Sequence, residues 1–224
     1  MMGVYAITIL LSVIGFLVSS QLKSKFKKYS GYFLNSGLTG AEVARKMLMD
    51  YGIQDVQIVM GQGFLTDHYN PLKKTVSLSP EVYQGNSIAA AAVAAHECGH
   101  AVQHAKAYPM LQLRSSLVPV VQVASQFQQF LLIIAFVVMS QFPALMLITI
   151  GTFALTTLFS FVTLPVEFDA SKRALVWLEQ AGITTSNEQA GAKDALKWAA
   201  MTYVSAALSS LVILVYLIFS FARR

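Results

Sequence analysis

The chain has 224 residues, of which 55% are hydrophobic and only 12% charged, and its mean hydropathy is +0.57. That balance is too apolar for an ordinary soluble domain and points to a membrane protein. The net charge of +5 suits an anionic membrane surface. It does not indicate a nucleic-acid binder, because the basic residues cluster at membrane boundaries.

Met2 to Ser20 is an uncharged apolar run, long enough to cross a bilayer. No basic residue precedes it, as one would before the core of a signal peptide. Lys23, Lys25, Lys27 and Lys28 follow it instead, so it reads as an uncleaved anchor. Thr39-Gly40-Ala41-Glu42 is a capping-box pattern, and it predicts a short helix to Tyr51 with Gly52 just past its end. Val56, Ile58 and Met60 alternate with Asp55, Gln57 and Val59, which predicts a strand; Thr75 to Ser79 predicts another. Tyr69-Asn70-Pro71 is a turn signal between strand-like segments, so 55–79 is expected to form a small sheet or hairpin. Such a strand edge beside a metal could hold an extended peptide by backbone pairing, although a purely structural hairpin fits equally.

The next element carries the chemistry. Ser87-Ile88-Ala89-Ala90-Ala91-Ala92-Val93-Ala94-Ala95 runs directly into His96-Glu97-Cys98-Gly99-His100, and no proline intervenes before Pro109. Alanine is the strongest helix former, so this stretch is expected to be helical. Residues four apart on a helix share a face, about 6 Å apart along the axis. His96 and His100 can therefore share one zinc ion, with Glu97 placed to take a proton from the water that the metal activates. Two surface histidines on an ordinary helix are the plain alternative. Cys98 is the chain's one cysteine, which excludes an intramolecular disulfide and suits a reducing compartment. On a helix it points away from the His96/His100 face and reads as packing.

Catalytic zinc usually keeps three protein ligands. His104 lies about 12 Å from His96 along a straight helix, too far for one tetrahedral ion. The metzincin spacing also fails, because Gln103 and Lys106 stand where that pattern needs Gly and His. His104 is read as a polar residue beside the site. Glu167, in Pro165-Val166-Glu167-Phe168-Asp169-Ala170-Ser171, is the better third ligand. Pro165 is expected to start a helix there, and a glutamate at a helix start favoured by the macrodipole fits the spacing as well. Asp169 could instead be the ligand, or could orient one.

Leu117 to Leu164 is long enough for two spans, parted near Ser140-Gln141-Phe142-Pro143. Gln122, Gln126, Gln128 and Gln129 suggest a bundle-facing or interfacial side in its first half. Ser186 or Thr185 can cap a helix that continues into a last span, Thr202 to Phe221. The expected spans are thus about 2–20, 117–140, 143–164 and 202–221, with a catalytic part of 30–115 plus 165–200 in one integrated domain. His96 precedes the middle pair of spans and Glu167 follows it, so both fall on one side. All acidic residues, and every Lys and Arg except Arg223 and Arg224, lie on that side too. The positive-inside rule then places the site in the cytoplasm of a multi-pass cell-membrane protein.

The stretches Gly63-Phe64-Leu65-Thr66-Asp67-His68-Tyr69-Asn70-Pro71, Ala94-Ala95-His96-Glu97-Cys98-Gly99-His100-Ala101-Val102-Gln103 and Pro165 to Ser171 resemble the YugP-type neutral zinc metallopeptidases of bacterial membranes. The resemblance covers nearly the whole chain, with three separated motifs in order. It implies a membrane-bound metallopeptidase with a gluzincin-like site: His96, His100 and Glu167 as ligands of one Zn2+, and Glu97 as the catalytic residue. The site is more distantly similar to the HtpX-like and prenyl-protein membrane proteases. Those place an alanine-aspartate pair three and four residues after the ligand glutamate, where this chain has Ala170 and Ser171.

The expected protein is mainly α, a multi-span helical membrane protein with a zincin-like cytosolic part carrying a small β-sheet or hairpin. Its expected activity is zinc-dependent hydrolysis of peptide bonds in a protein or peptide substrate, at or near a lipid bilayer. His68, His104 and Tyr203 are candidate donors to the oxyanion, with His68 preferred because it sits on the strand-like segment before the zinc helix. A hydrogen bond within its own turn would explain His68 equally. The alternative is a non-enzymatic membrane scaffold with a structural metal site, but such sites are usually closed by four ligands, mostly Cys and His. A transporter is disfavoured because the spans carry no ionisable residue between their ends.

Overall fold

The computed structural model describes residues 2–138 and 141–223. Met139 and Ser140, where the second expected span ends and the break before Pro143 begins, lie outside the described residues, as does Arg224. The elements in chain order are α1 (Met2–Ser30), α2 (Gly40–Asp50), β1 (Gln57–Met60), β2 (His68–Asn70), β3 (Thr75–Leu78), α3 (Pro80–Tyr83), α4 (Ile88–Ala105), α5 (Pro109–Val138), α6 (Pro143–Gln180) and α7 (Ser186–Ala222). This is a mainly α membrane protein with one small sheet. Among the described residues four helices, α1, α5, α6 and α7, are long and apolar enough to cross a membrane.

The chain divides into two compact units. The first is made of Met1–Ser19, Gln112–Leu164 and Thr202–Arg224. It has a small buried centre of Ala135, Met146, Phe153 and Leu217, while large side chains such as Phe16, Phe130 and Ile148 point outward. An apolar exterior of this kind is stable in a lipid solvent and costly in water. Several of its hydroxyls bond within their own helices: Thr149 donates to the Leu145 carbonyl at 2.8 Å and Ser160 to that of Thr156 at 2.9 Å. Of the four glutamines on α5, Gln128 reaches across to the Thr156 hydroxyl at 3.2 Å, whereas Gln122, Gln126 and Gln129 are exposed.

The second unit is Ser20–Leu111 with Pro165–Met201. The alanine-rich α4 is buried along almost its whole length and forms the middle of this unit's core. Alanines let neighbouring elements come close, so Val43, Met47, Val76, Val82, Trp177 and Leu196 all pack into one cluster around it. Ser87 caps α4 by accepting from the Ala90 N–H at 3.2 Å. The capping box of α2 is complete: the Glu42 N–H donates to Thr39 Oγ1 and the Thr39 N–H to Glu42 Oε2. Gly52 follows that helix with φ +69°, a left-handed conformation that favours glycine. Side-chain ties link the remaining helices: Lys25 and the Tyr29 hydroxyl both reach Asp194 at 2.7 Å, and Trp177 Nε1 donates to Asp50 at 3.0 Å.

Two local expectations need correction. Tyr69 and Asn70 are not the turn but the end of β2, and the reversal follows them. The Asn70 side chain accepts from the N–H groups of Leu72 and Lys73 at 3.0 Å, so it makes the turn from the last strand position. Pro165 does not start a helix; it lies inside the continuous α6. A proline there removes one backbone donor, and the helix runs on because both flanks are long and held by packing. The sheet order is β1-β3-β2, with β1 parallel and β2 antiparallel to β3. The antiparallel pair is a hairpin, and β2 is left as an edge strand.

Candidate metal centre

The site begins with a close approach between α4 and α6. A Cβ on Gly99 would sit 2.6 Å from the Ala170 carbonyl oxygen and 3.1 Å from its Cα, so only glycine allows this spacing. On either side of Gly99, the His96 and His100 rings stand with centroids 4.8 Å apart and planes at 82°. Glu167 enters from α6. Its Oε2 lies 3.3 Å from His96 Nε2 and 3.6 Å from His100 Nε2. All three side chains are buried. They form a group of donor atoms within 4.8 Å of one another that could hold a metal ion.

The donor set fits zinc. Two ligand atoms about 2.0–2.1 Å from a tetrahedral ion lie roughly 3.3–3.4 Å from each other. The two nitrogen-to-carboxylate separations bracket that value closely. Burial disfavours the charged form of His100, but hydrogen bonding to Glu167 and the charges of Glu167 and Glu97 outweigh it and raise the imidazole pKa. A concentrated negative field of this kind favours a cation of either sort, proton or metal.

Each imidazole is also held from behind. His96 Nδ1 is 3.1 Å from Ser171 Oγ, and His100 Nδ1 is 3.0 Å from Gln103 Oε1. Gln103 Nε2 donates to the Val166 carbonyl and to Asp169 Oδ2, both at 2.8 Å. Asp169 in turn accepts from Arg173 Nε at 2.5 Å. Asp169 is thus turned away from the ligand group and onto Gln103; Glu167 takes the place facing the histidines. Glu97 is buried on the same turn as His96. Its carboxylate lies close enough to His100 and Asp67 for its charge to act on both. Burial raises the Asp67 pKa, partly offset by hydrogen bonds from the Ser79 N–H and hydroxyl, and the Glu97 charge pushes it further up.

The remaining candidates lie outside the ligand group. His68 is exposed on β2, with its Nδ1 2.8 Å from the Thr66 carbonyl, a bond within its own turn. His104 is hydrogen-bonded through Nδ1 to the Tyr69 hydroxyl at 2.8 Å. Tyr203 belongs to the first unit. Cys98 is fully buried behind the site, near the Ala44 carbonyl, and burial lifts its thiol pKa far above the ordinary value. Gln103 and Arg173 were not singled out by sequence reasoning. Gln103 carried a usable signal, since it stands three residues after His100 on the same helical face.

A family described as "Putative neutral zinc metallopeptidase" matches residues 4–222. The chain belongs to this family. Among similar proteins is one of Bacillus subtilis (strain 168) named "Putative membrane protease YugP". It is 43% identical over 200 residues, which are 88% of this chain and 87% of that protein. No solved structure matches the chain. The family thus agrees with the ligand group found between α4 and α6.

Proposed function

We propose that this chain is a zinc-dependent membrane endopeptidase, with His96, His100 and Glu167 as metal ligands and Glu97 as general base. The observation that carries the reading is the convergence of three donors of the right chemistry, with a fourth buried carboxylate one residue from the first. Three protein ligands leave a coordination position open, as catalytic rather than structural zinc requires. Zinc, when bound, acidifies a water molecule and polarises the scissile carbonyl. Glu97 would accept the proton of the attacking water and deliver it to the leaving amine nitrogen. Peptide C–N bond cleavage is then balanced by addition of one water across it.

The edge strand β2 supports a peptide substrate. It lies against α4 through Tyr69, and its outer edge offers backbone groups to an extended chain. Four long apolar helices support a multi-pass location in the cell membrane. The distribution of Lys and Arg along the sequence supports a site facing the cytoplasm. The test is Glu97→Gln in the full-length protein in detergent, assayed against an unfolded protein substrate. Turnover should fall by about 10²–10⁴-fold while bound zinc stays at the wild-type level. Retained proteolysis in a clean preparation would defeat the mechanism.

A further inference from the structure

We infer that Gln103 is the positioning residue that fixes which nitrogen of His100 faces the metal. This rests on the zinc-site reading above. The two ends of the Gln103 side-chain amide are distinguished by their surroundings. One end is 2.8 Å from the Val166 carbonyl oxygen and 2.8 Å from Asp169 Oδ2. A carbonyl oxygen only accepts, so that end must be the NH2 group. Arg173 holds Asp169 in place from its far side and is itself stacked near the Tyr108 ring at 5.9 Å. The other end, Oε1, then faces His100 Nδ1 at 3.0 Å and can only accept. His100 must therefore carry a proton on Nδ1, which leaves Nε2 as the nitrogen that faces Glu167 Oε2 and would take the metal.

The two histidines differ in this respect. The Ser171 hydroxyl behind His96 can donate or accept, so it tolerates either tautomer. Gln103 tolerates only one. It is also fully buried, so no water can replace its oxygen without opening the α4–α6 contact. A hydrogen bond to the non-ligating nitrogen of a metal-bound histidine both orients the ring and raises its basicity.

Gln103→Leu and Gln103→Glu separate this role from a merely structural one. Leucine removes the acceptor for His100. Glutamate keeps an oxygen for His100 Nδ1–H, and its other oxygen, protonated beside the Asp169 carboxylate, can donate one bond in place of the two amide bonds to Val166 and Asp169. Zinc dissociation constants of the full-length proteins in detergent, measured by chelator competition, should be 10–100-fold weaker for Gln103→Leu and within about threefold of wild type for Gln103→Glu. Melting of the zinc-free forms would report any loss of fold separately. Wild-type affinity in Gln103→Leu would overturn the inference. So would equal loss in both variants, since a structural tie alone predicts that. A wild-type chain that takes up no zinc would defeat the zinc reading itself, a result distinct from either of these.

Discussion

Gly99→Ala adds one methyl group at the point where α4 and α6 touch. Its Cβ would stand 2.6 Å from the Ala170 carbonyl oxygen and 3.2 Å from the carbonyl carbon. Ordinary contact begins near 3.4 Å, so the helices must part by about 0.8 Å, and a backbone carbonyl cannot rotate away as a side chain can. Overpacking of this size costs about 1–3 kcal/mol. Alanine returns about 1 kcal/mol of helix propensity over glycine, so the net loss of fold stability is about 0–2 kcal/mol. The effect on the metal site should be larger. Glu167 is one turn before Ala170, and it reaches His96 and His100 across 3.3 and 3.6 Å. A displacement of about 0.8 Å exceeds the tolerance of roughly 0.5 Å for such a constellation. Zinc affinity should fall at least about tenfold, or 1.4 kcal/mol. Chelator competition gives the affinity and thermal melting the fold stability. Gly151→Ala, on α6 with open space around it, is the control: it should leave zinc affinity unchanged and, with the same gain in helix propensity and no clash, should not lower fold stability. Wild-type zinc affinity with an unchanged melt in Gly99→Ala would refute the argument that this glycine sets the spacing of the site.

Thr39→Ala should cost about 1 kcal/mol in denaturant melts, because the hydroxyl that accepts from the Glu42 N–H and donates to Glu42 Oε2 is lost, while the backbone N–H of residue 39 keeps its bond to Glu42; an effect below about 0.3 kcal/mol would mean α2 is held by packing alone. Asp67 has a folded pKa raised above the unfolded value, so its contribution to stability is full below the unfolded value and is lost as pH rises through the folded one. Asp67→Asn keeps an oxygen for the Ser79 N–H and removes the titration. Its stability relative to wild type should therefore rise from about pH 4 toward neutrality; a flat or falling difference in urea melts would contradict the assigned direction.

Much of the site was legible because its signals are local. The helix cap at Thr39, the alanine run, and the four-residue spacing of His96 and His100 all follow from single-turn geometry. Glu167 could be proposed from its neighbourhood, but its convergence on the histidines depends on α6 packing against Gly99, a contact 71 residues apart in sequence between Gly99 and Ala170. Local rules misread Pro165, because a proline's penalty is one lost bond and long helical flanks outweigh it. They also misread Asn70, whose turn-forming side chain acts from inside a strand. The parallel pairing of β1 with β3 around β2 is non-local and has no signature in either strand. In the sequence Ser171 stands out only as a departure from a wider group's pattern, and its contact with His96 Nδ1 is set by the packing of α6 on α4.

The central claim is a three-ligand zinc site, and metal content tests it most directly. Zinc per chain should be measured on the full-length protein purified in detergent, for wild type beside Glu167→Ala. About one zinc in wild type and a sharp loss in the variant is the expected result. A wild-type chain that stays near zero after zinc is added at neutral pH, or a variant that holds as much as wild type, would contradict the account.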